Sequence, residues 1–147
     1  MSTRDENIAV MLAIFRAIEE RGRDAANRQR ERELMQPDVE FHWPPSLPYG
    51  RSFRGAERDG PTWSDTWDAL QPTPAERRLD PRVVAAHDDE VVILYRQRGL
   101  SAAGERYDGE VLGLYRLRDG KLARAQMFYF DEAEAVRFLA AATGRGG

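Results

Sequence analysis

The sequence predicts an α+β fold in which helices stand apart from an antiparallel sheet. Three observations carry that expectation: apolar residues at helical spacing near the N-terminus, alternating strand-like runs around an Asp-Gly turn in the second half, and a capped apolar helix at the end.

Taken in order, Ile8, Leu12, Phe15 and Ile18 recur with a helical period over residues 5–20, with Met11 and Ile14 beside them. Ser2, Thr3 and Asp5 offer N-caps, and Gly22 offers a stop. A second helix is expected over residues 24–35. Its NRQRERE stretch is so polar that only Ala25, Ala26, Leu34 and Met35 are left to face a core, and its charges read as a solvated face. Pro37 should break that helix, and residues 39–43 (VEFHW) read as a short strand. The stretch from Pro44 to Gly50 carries Pro44, Pro45 and Pro48, which forbid a ladder or a helix interior, so it is read as a structured loop. Residues 56–70 are expected to be helical in part, with Trp63, Trp67 and Leu70 on one face and Pro61 near the first turn.

The second half reads as strands at 77–86, 90–100, 105–117 and 121–130, separated by Asp88-Asp89, by Ser101–Gly104 and by Asp119-Gly120. An Asp-Gly pair between apolar runs is a strong short hairpin signal. Asp131-x-x-Glu134 then caps a closing helix that carries Ala135, Val136, Phe138 and Leu139. Residues 1–147 read as one domain, with 143–147 a frayed tail.

Composition narrows the function. Lys+Arg is 22 against 25 Asp+Glu, a formal net charge of −3, so nothing drives phosphate-backbone binding and no nucleic-acid partner is expected. Cysteine is absent, which removes disulfides, thiol nucleophiles and thiolate metal sites together. With His42 and His87 the only histidines, a multi-histidine metal centre is hard to build, and no metal or cofactor is expected. No apolar run approaches the roughly 20 residues of a membrane span, and the first residues lack the apolar core of a signal peptide. A soluble, cytoplasmic protein is the expectation.

This element order, with the segments FHWPPSLPYGR, VLGLYRLRDGKL and FYFDEAEAVRFL, resembles the nuclear transport factor 2-like superfamily over nearly the whole chain. Within it the sequence is most similar to the SnoaL-like polyketide cyclase and limonene epoxide hydrolase branches. The resemblance implies a cone-shaped fold, a curved sheet wrapped round a deep pocket closed by N-terminal helices. That scaffold hosts many chemistries, so each must be checked residue by residue.

Limonene epoxide hydrolases hold a water between two aspartates bridged by an arginine, helped by a tyrosine and an asparagine. The resemblance sets the arginine at Tyr95, one aspartate at Gln97, the other at Phe128, and the tyrosine and asparagine at Phe41 and Trp43. All five are replaced. Neutral tyrosine and glutamine cannot do paired-carboxylate work, so epoxide hydrolysis by that mechanism is not expected. The ketosteroid isomerase positions fall at Trp43, Phe15 and Gly113 and are also lost. The late-strand carboxylate of SnoaL-type cyclases has Asp131 as its nearest counterpart, which the local pattern makes a helix cap.

The same register places Val91, Ile93, Tyr95, Gln97, Val111, Gly113, Tyr115, Gln126 and Phe128 on the pocket face. Phe41 and Trp43 join from the first strand, and Trp63 or Trp67 from the helix before the meander. Such a lining suits a hydrophobic small molecule, cyclic or polyketide-like, oriented by Tyr95, Gln97 and Gln126; alternatively the aromatics fill the cone as core. Tyr95 and His42 are the candidate catalytic residues. Strict alternation turns His42 away from Trp43's face, and only a twist before the proline loop would bring it in. His87, beside Asp88 and Asp89, reads as a solvated loop residue. Arg96, Arg98, Arg116 and Arg124 fall on the outer face with Leu94, Leu112, Leu114, Met127 and Tyr129, an apolar patch that a homodimer would cover. Three roles stay open: a cyclase- or isomerase-like enzyme relying on shape, a non-catalytic binder of a hydrophobic ligand, and a dimerisation module.

Overall fold

The computed structural model describes residues 3–21, 25–55 and 62–143. Helix α1 (Arg4–Arg21) starts where the Thr3 hydroxyl accepts the Glu6 N–H at 3.2 Å, and it buries Met11, Ile14 and Phe15. Helix α2 (Ala25–Glu33) is as polar as expected, but it buries Asn27 rather than Ala26, with the Asn27 amide donating to the Glu20 carbonyl at 2.7 Å. The Ser2 cap, the Gly22 stop, the start of the third helix at 56–61 and the tail at 144–147 lie outside the described residues.

Strand β1 (Met35–His42) begins earlier than the sequence implies, and Met35 and Pro37 belong to it rather than to a helix end. The parallel pairing with the last strand is irregular between Met35 and Glu40, and in that gap the missing N–H of Pro37 breaks no ladder bond. The proline loop then folds back into a short strand that the sequence reading missed, β2 (Ser52–Arg54).

Helix α3 (Trp63–Trp67) is closed at its start by Thr62 and Asp65 in a capping box and runs into a tight turn at Asp68–Leu70. A further short helix, α4 (Pro74–Arg77), replaces the start of the strand expected at 77–86. Thr73 and Glu76 cap it reciprocally, and Pro74 suits its first turn.

The meander follows as β3 (Arg82–Ala86), β4 (Glu90–Leu100), β5 (Arg106–Arg118) and β6 (Lys121–Tyr129). The sheet has six strands in the order β2-β1-β6-β5-β4-β3, with β1 parallel to β6 and every other pairing antiparallel. Asp119 and Gly120 take φ of 54° and 75°, the two positive values that a tight hairpin with the right twist requires.

Alternation sets the faces. On β4 the odd-numbered residues Val91, Ile93, Tyr95 and Gln97 are buried, and on β5 so are Val111, Tyr115 and Leu117. On β6 the expected parity is reversed. Arg116 pairs with Arg124 but Leu117 with Leu122, so Ala123 is one extra residue, a bulge. Leu122 faces inward before it; Ala125, Met127 and Tyr129 face inward after it. Gln126 and Phe128, expected in the pocket, therefore lie on the outer face, and Phe128 is 46% exposed. Met127 and Tyr129, expected outside, are core.

Helix α5 (Glu132–Ala142) starts where Asp131 accepts the Glu134 N–H at 3.1 Å, so this carboxylate is a helix cap, as its spacing implied. Its buried face (Ala135, Phe138, Leu139) plugs one half of the concave side of the sheet. Helices α1, α2 and α3 cover the other half.

Candidate functional site

Between α1, α2, α3 and the sheet lies a cavity of about 360 Å³. Its wall is apolar and aromatic: Met11, Ile14 and Phe15 from α1, Phe41 from β1, Phe53 from β2, Trp63 from α3, Met127 from β6, and Trp43 from just after β1. Tyr95 and Tyr115 bring the hydroxyls of β4 and β5 to its inner end, each 5% exposed.

These two tyrosines are held by their neighbours. Phe15 meets both edge-on, at centroid separations of 5.1 Å to Tyr95 and 6.0 Å to Tyr115. Gly113 makes the geometry possible. A Cβ there would stand 2.1 Å from the Tyr115 hydroxyl, so only glycine lets that ring lie back along β5 toward Tyr95. Burial pushes both phenols up, Tyr95 further raised by Tyr115 and Tyr49 nearby. At neutral pH both are protonated and hydrogen-bond to each other, which leaves the pair one hydroxyl proton for a carbonyl or enol oxygen and makes it unsuited to proton abstraction.

Of the residues expected in the site, Phe41, Trp43, Trp63, Tyr95 and Tyr115 line this cavity. The others stand elsewhere. Gln97 is fully buried, but its carbonyl accepts the Trp63 Nε1–H at 3.0 Å, so it anchors α3 to β4 instead of facing a ligand. Val111 is buried outside the cavity wall. Trp67 is core: it stacks on Phe138 at 6.1 Å and 11°, and its Nε1–H is donated to the Tyr49 hydroxyl at 3.0 Å.

Alternation keeps His42 on the far face of β1. There its Nδ1 meets the Ser52 hydroxyl at 2.7 Å and its Nε2 stands 3.6 Å from Glu40, which Arg54 also pairs at 3.2 Å. His42 is therefore not among the residues that line the cavity. Gln126 and Phe128 are outside by the bulge described above. The second hydrolase aspartate position, set at Phe128 from the sequence, thus has Met127 and Tyr129 as its inward neighbours, and neither is a carboxylate.

Tyr49, from the proline loop, was not foreseen as a core residue. Its hydroxyl bonds that of Tyr129 and accepts from Trp67, and burial holds its pKa well above the ordinary phenol value. Its setting, Pro48-Tyr49-Gly50, gave only a loop signal. Phe15, Phe53 and Met127 were missed as wall residues because facing the core and facing a hollow in the core look alike in a periodicity.

Carboxylates reach the cavity at its mouth, as Glu31, Asp65 and Asp68. Among the described residues, no group of three or more His, Asp or Glu is placed to hold a metal ion. No helix among them is long and apolar enough to cross a membrane.

The profile of the SnoaL-like domain matches residues 12–125. The chain belongs to the SnoaL-like family, within the nuclear transport factor 2-like superfamily. A solved structure of TerC, co-crystallized with polyporic acid, is 20% identical, covers 92% of this chain and 98% of its own, and superposes with a TM-score of 0.65. A protein from Jannaschia sp. CCS1, assigned to the SnoaL-like polyketide cyclases, is 18% identical over 100% of this chain and 96% of its own, with a TM-score of 0.67. A cystatin-like-fold protein from Xanthomonas campestris is 23% identical over 90% and 97%, with a TM-score of 0.69. Identities this low carry the fold and no further. No curated protein matches the SnoaL-like chain in sequence.

Proposed function

We propose that this SnoaL-like chain takes a hydrophobic, ring-bearing small molecule into its cavity and acts on it by shape, in the manner of a cyclase or isomerase. The observation that carries this is an open, aromatic-walled cavity of about 360 Å³ with the Tyr95 and Tyr115 hydroxyls at its inner end. A reactive polyketide-like chain held there in one folded conformer would already be close to cyclisation, with the free proton of the phenol pair donated to the carbonyl that gains charge. Among the described residues the inner wall carries neither carboxylate nor histidine, which favours a second reading, a non-catalytic binder on the same fold. We also propose that two copies pair through the outer sheet face, where Leu94, Leu112 and Phe128 form one row.

Polyporic acid, present in the TerC crystals, is a suitable first probe. Titrating it while following tryptophan fluorescence should give saturable quenching, since Trp43 and Trp63 lie in the wall. Tyr95→Phe should weaken binding by about fivefold, the effect of one hydrogen bond. Absence of saturable quenching by polyporic acid and by simpler fused-ring probes alike defeats the cavity reading. Recovery of every bound candidate chemically unchanged favours the binder over the enzyme.

A further inference from the structure

Away from the cavity, three side chains on the outer face stand in the order hydroxyl, imidazole, carboxylate. Ser52 of β2 and His42 of β1 are directly opposite partners, and Glu40 precedes His42 by two residues on the same face of β1. The ladder between these strands has hydrogen bonds from the Trp43 N–H to Arg51 and from the Gly55 N–H to Val39. By alternation His42 and Ser52 form a non-hydrogen-bonded pair, the kind in which facing side chains come closest. There the His42 Nδ1 lies 2.7 Å from the Ser52 hydroxyl, and its Nε2 lies 3.6 Å from the Glu40 carboxylate.

Charge decides the tautomer. The hydrogen bond from Arg54, at 3.2 Å, holds the Glu40 carboxyl below its ordinary pKa, so it is ionised at neutral pH. Nε2 is buried without a hydrogen-bond partner, and a lone pair there would face the negative carboxylate, whereas a proton there is attracted to it. With the proton on Nε2, Nδ1 keeps its lone pair and accepts the Ser52 O–H. The same alternation turns the Ser52 N–H away from β1 and onto the open edge of the sheet, because β2 is the outermost strand. The nucleophile's own N–H is one of the donors that stabilise an oxyanion in acyl transfer. Ser52 is exposed, and its strand stands two places from the β6 strand that carries Phe128.

We infer that Ser52, His42 and Glu40 form a second site, an acyl-transfer centre independent of the cavity. Ser52 Oγ attacks the carbonyl carbon of an ester as its proton passes to Nδ1; the alcohol or phenol departs with that proton, and the acyl group stays on Ser52. Water then attacks the acyl carbon and gives its proton to Nδ1, and the carboxylic acid leaves as Ser52 is restored. Glu40 is a positioning residue that fixes the tautomer and faces the imidazolium. An open edge with a single backbone donor selects small esters with good leaving groups.

The test uses two probes: phenylmethanesulfonyl fluoride, which leaves a stable adduct located by peptide mass spectrometry, and 4-nitrophenyl acetate, followed by nitrophenolate release. The adduct should form on Ser52. Ser52→Ala, an exposed change, should keep the melting temperature, lose that adduct and slow ester hydrolysis about a hundredfold, the low end of general-base catalysis. His42→Asn should slow both reactions to the same extent. Glu40→Gln keeps an acceptor and removes the charge, so it should lower kcat about tenfold with KM unchanged, a split that loss of local packing would not give. Ester hydrolysis as fast in Ser52→Ala as in the unaltered chain would assign the reaction to imidazole alone or to another site, and would overturn the inference. An unmodified Ser52 beside labelled residues elsewhere would do so too.

Discussion

The concave side of the sheet has two halves built from the same kinds of residue, one hollow and one solid. In the solid half Trp67, Tyr107 and Phe138 pack against one another as a cluster of three rings, and Tyr49 and Tyr129 join hydroxyls. In the hollow half Phe15, Trp43, Trp63, Tyr95 and Tyr115 surround open space. Aromatic content does not separate them. What differs is the covering helix. Helix α5 sets Phe138 against Trp67 and Tyr107, whereas Met11, Ile14 and Phe15 of α1, buried as they are, border the cavity together with α2. A site arises in this fold where no helix plugs the cone.

The largest effect that separates the halves should come at high pH. Burial raises the phenols of Tyr49, Tyr95, Tyr115 and Tyr129 above their ordinary value near 10. The unfolded chain releases those protons first, so the stability they contribute is intact below pH 10 and is lost as pH rises toward the folded values. Each contributes a slope of up to about 1.4 kcal/mol per pH unit, so four together rival the stability of a whole domain within about two units. Urea melts across pH 8 to 12 (a range chosen about the ordinary value) would show it. Y95F/Y115F should flatten the alkaline slope at little cost at pH 8. Y49F/Y129F should flatten it too, but at neutral pH it leaves the Trp67 N–H without its acceptor, at about 1–3 kcal/mol. A flat profile in the unaltered protein would contradict the burial of these groups.

Replacing the two indoles of α3 sharpens the same contrast. Trp67→Ala empties a fully buried site and should cost about 3–5 kcal/mol in a denaturant melt. Trp63→Ala removes a half-buried ring and should cost about 2 kcal/mol, much of it from the Gln97 carbonyl left unpaired. Ligand affinity should respond to Trp63 and not to Trp67. The reverse order of stability effects would exchange the roles given to the two halves.

Much of this was readable beforehand. The Glu90–Leu100 strand, the Asp119-Gly120 hairpin and the Asp131 cap follow from alternation, turn chemistry and spacing, all of which are local. What was not readable depends on one residue or on distant partners. Ala123 bulges, and every β6 side chain after it changes face, because strand parity has no memory beyond one residue. The α4 cap, Thr73-Pro74-Ala75-Glu76, was present in the sequence as a local signal and was passed over. Tyr49 and Gln97 look like a loop residue and a ligand-facing amide until their partners Tyr129 and Trp63, far along the chain, are placed beside them.

Two glycines offer a finer version of the comparison. A Cβ at Gly99 would come within 2.9 Å of the Trp67 ring and 3.1 Å of Phe138, in the solid half. One at Gly113 would overlap Tyr115 more deeply, 2.1 Å from its hydroxyl and 2.3 and 2.5 Å from two ring carbons, but that ring borders open space into which it can move. Gly99→Ala should therefore cost about 1–3 kcal/mol by overpacking, with ligand affinity unchanged. Gly113→Ala should fold with a smaller loss while displacing the Tyr115 hydroxyl, lowering affinity for an oxygen-bearing aromatic probe by about fivefold. Thermal melts beside fluorescence titrations decide it, and equal melting losses with equal affinities would remove the distinction.

The smallest effect on stability should come from the outer face, where the bulge has put Phe128 beside Leu112, and Leu112 beside Leu94. Phe128 is 46% exposed in the single chain, so Phe128→Glu should change monomer stability by no more than about 0.5 kcal/mol. The same change should split a pair of chains joined across this row, because each copy would then place an unpaired carboxylate against the other's leucines. Sedimentation of the two proteins at matched concentration, beside a denaturant melt, reads both quantities. A monomeric unaltered chain defeats the pairing. A Phe128→Glu chain that fails to fold would mean that Phe128 faces the cone after all, and the parity switch at Ala123, on which the division into inner and outer residues of β6 depends, would fall with it.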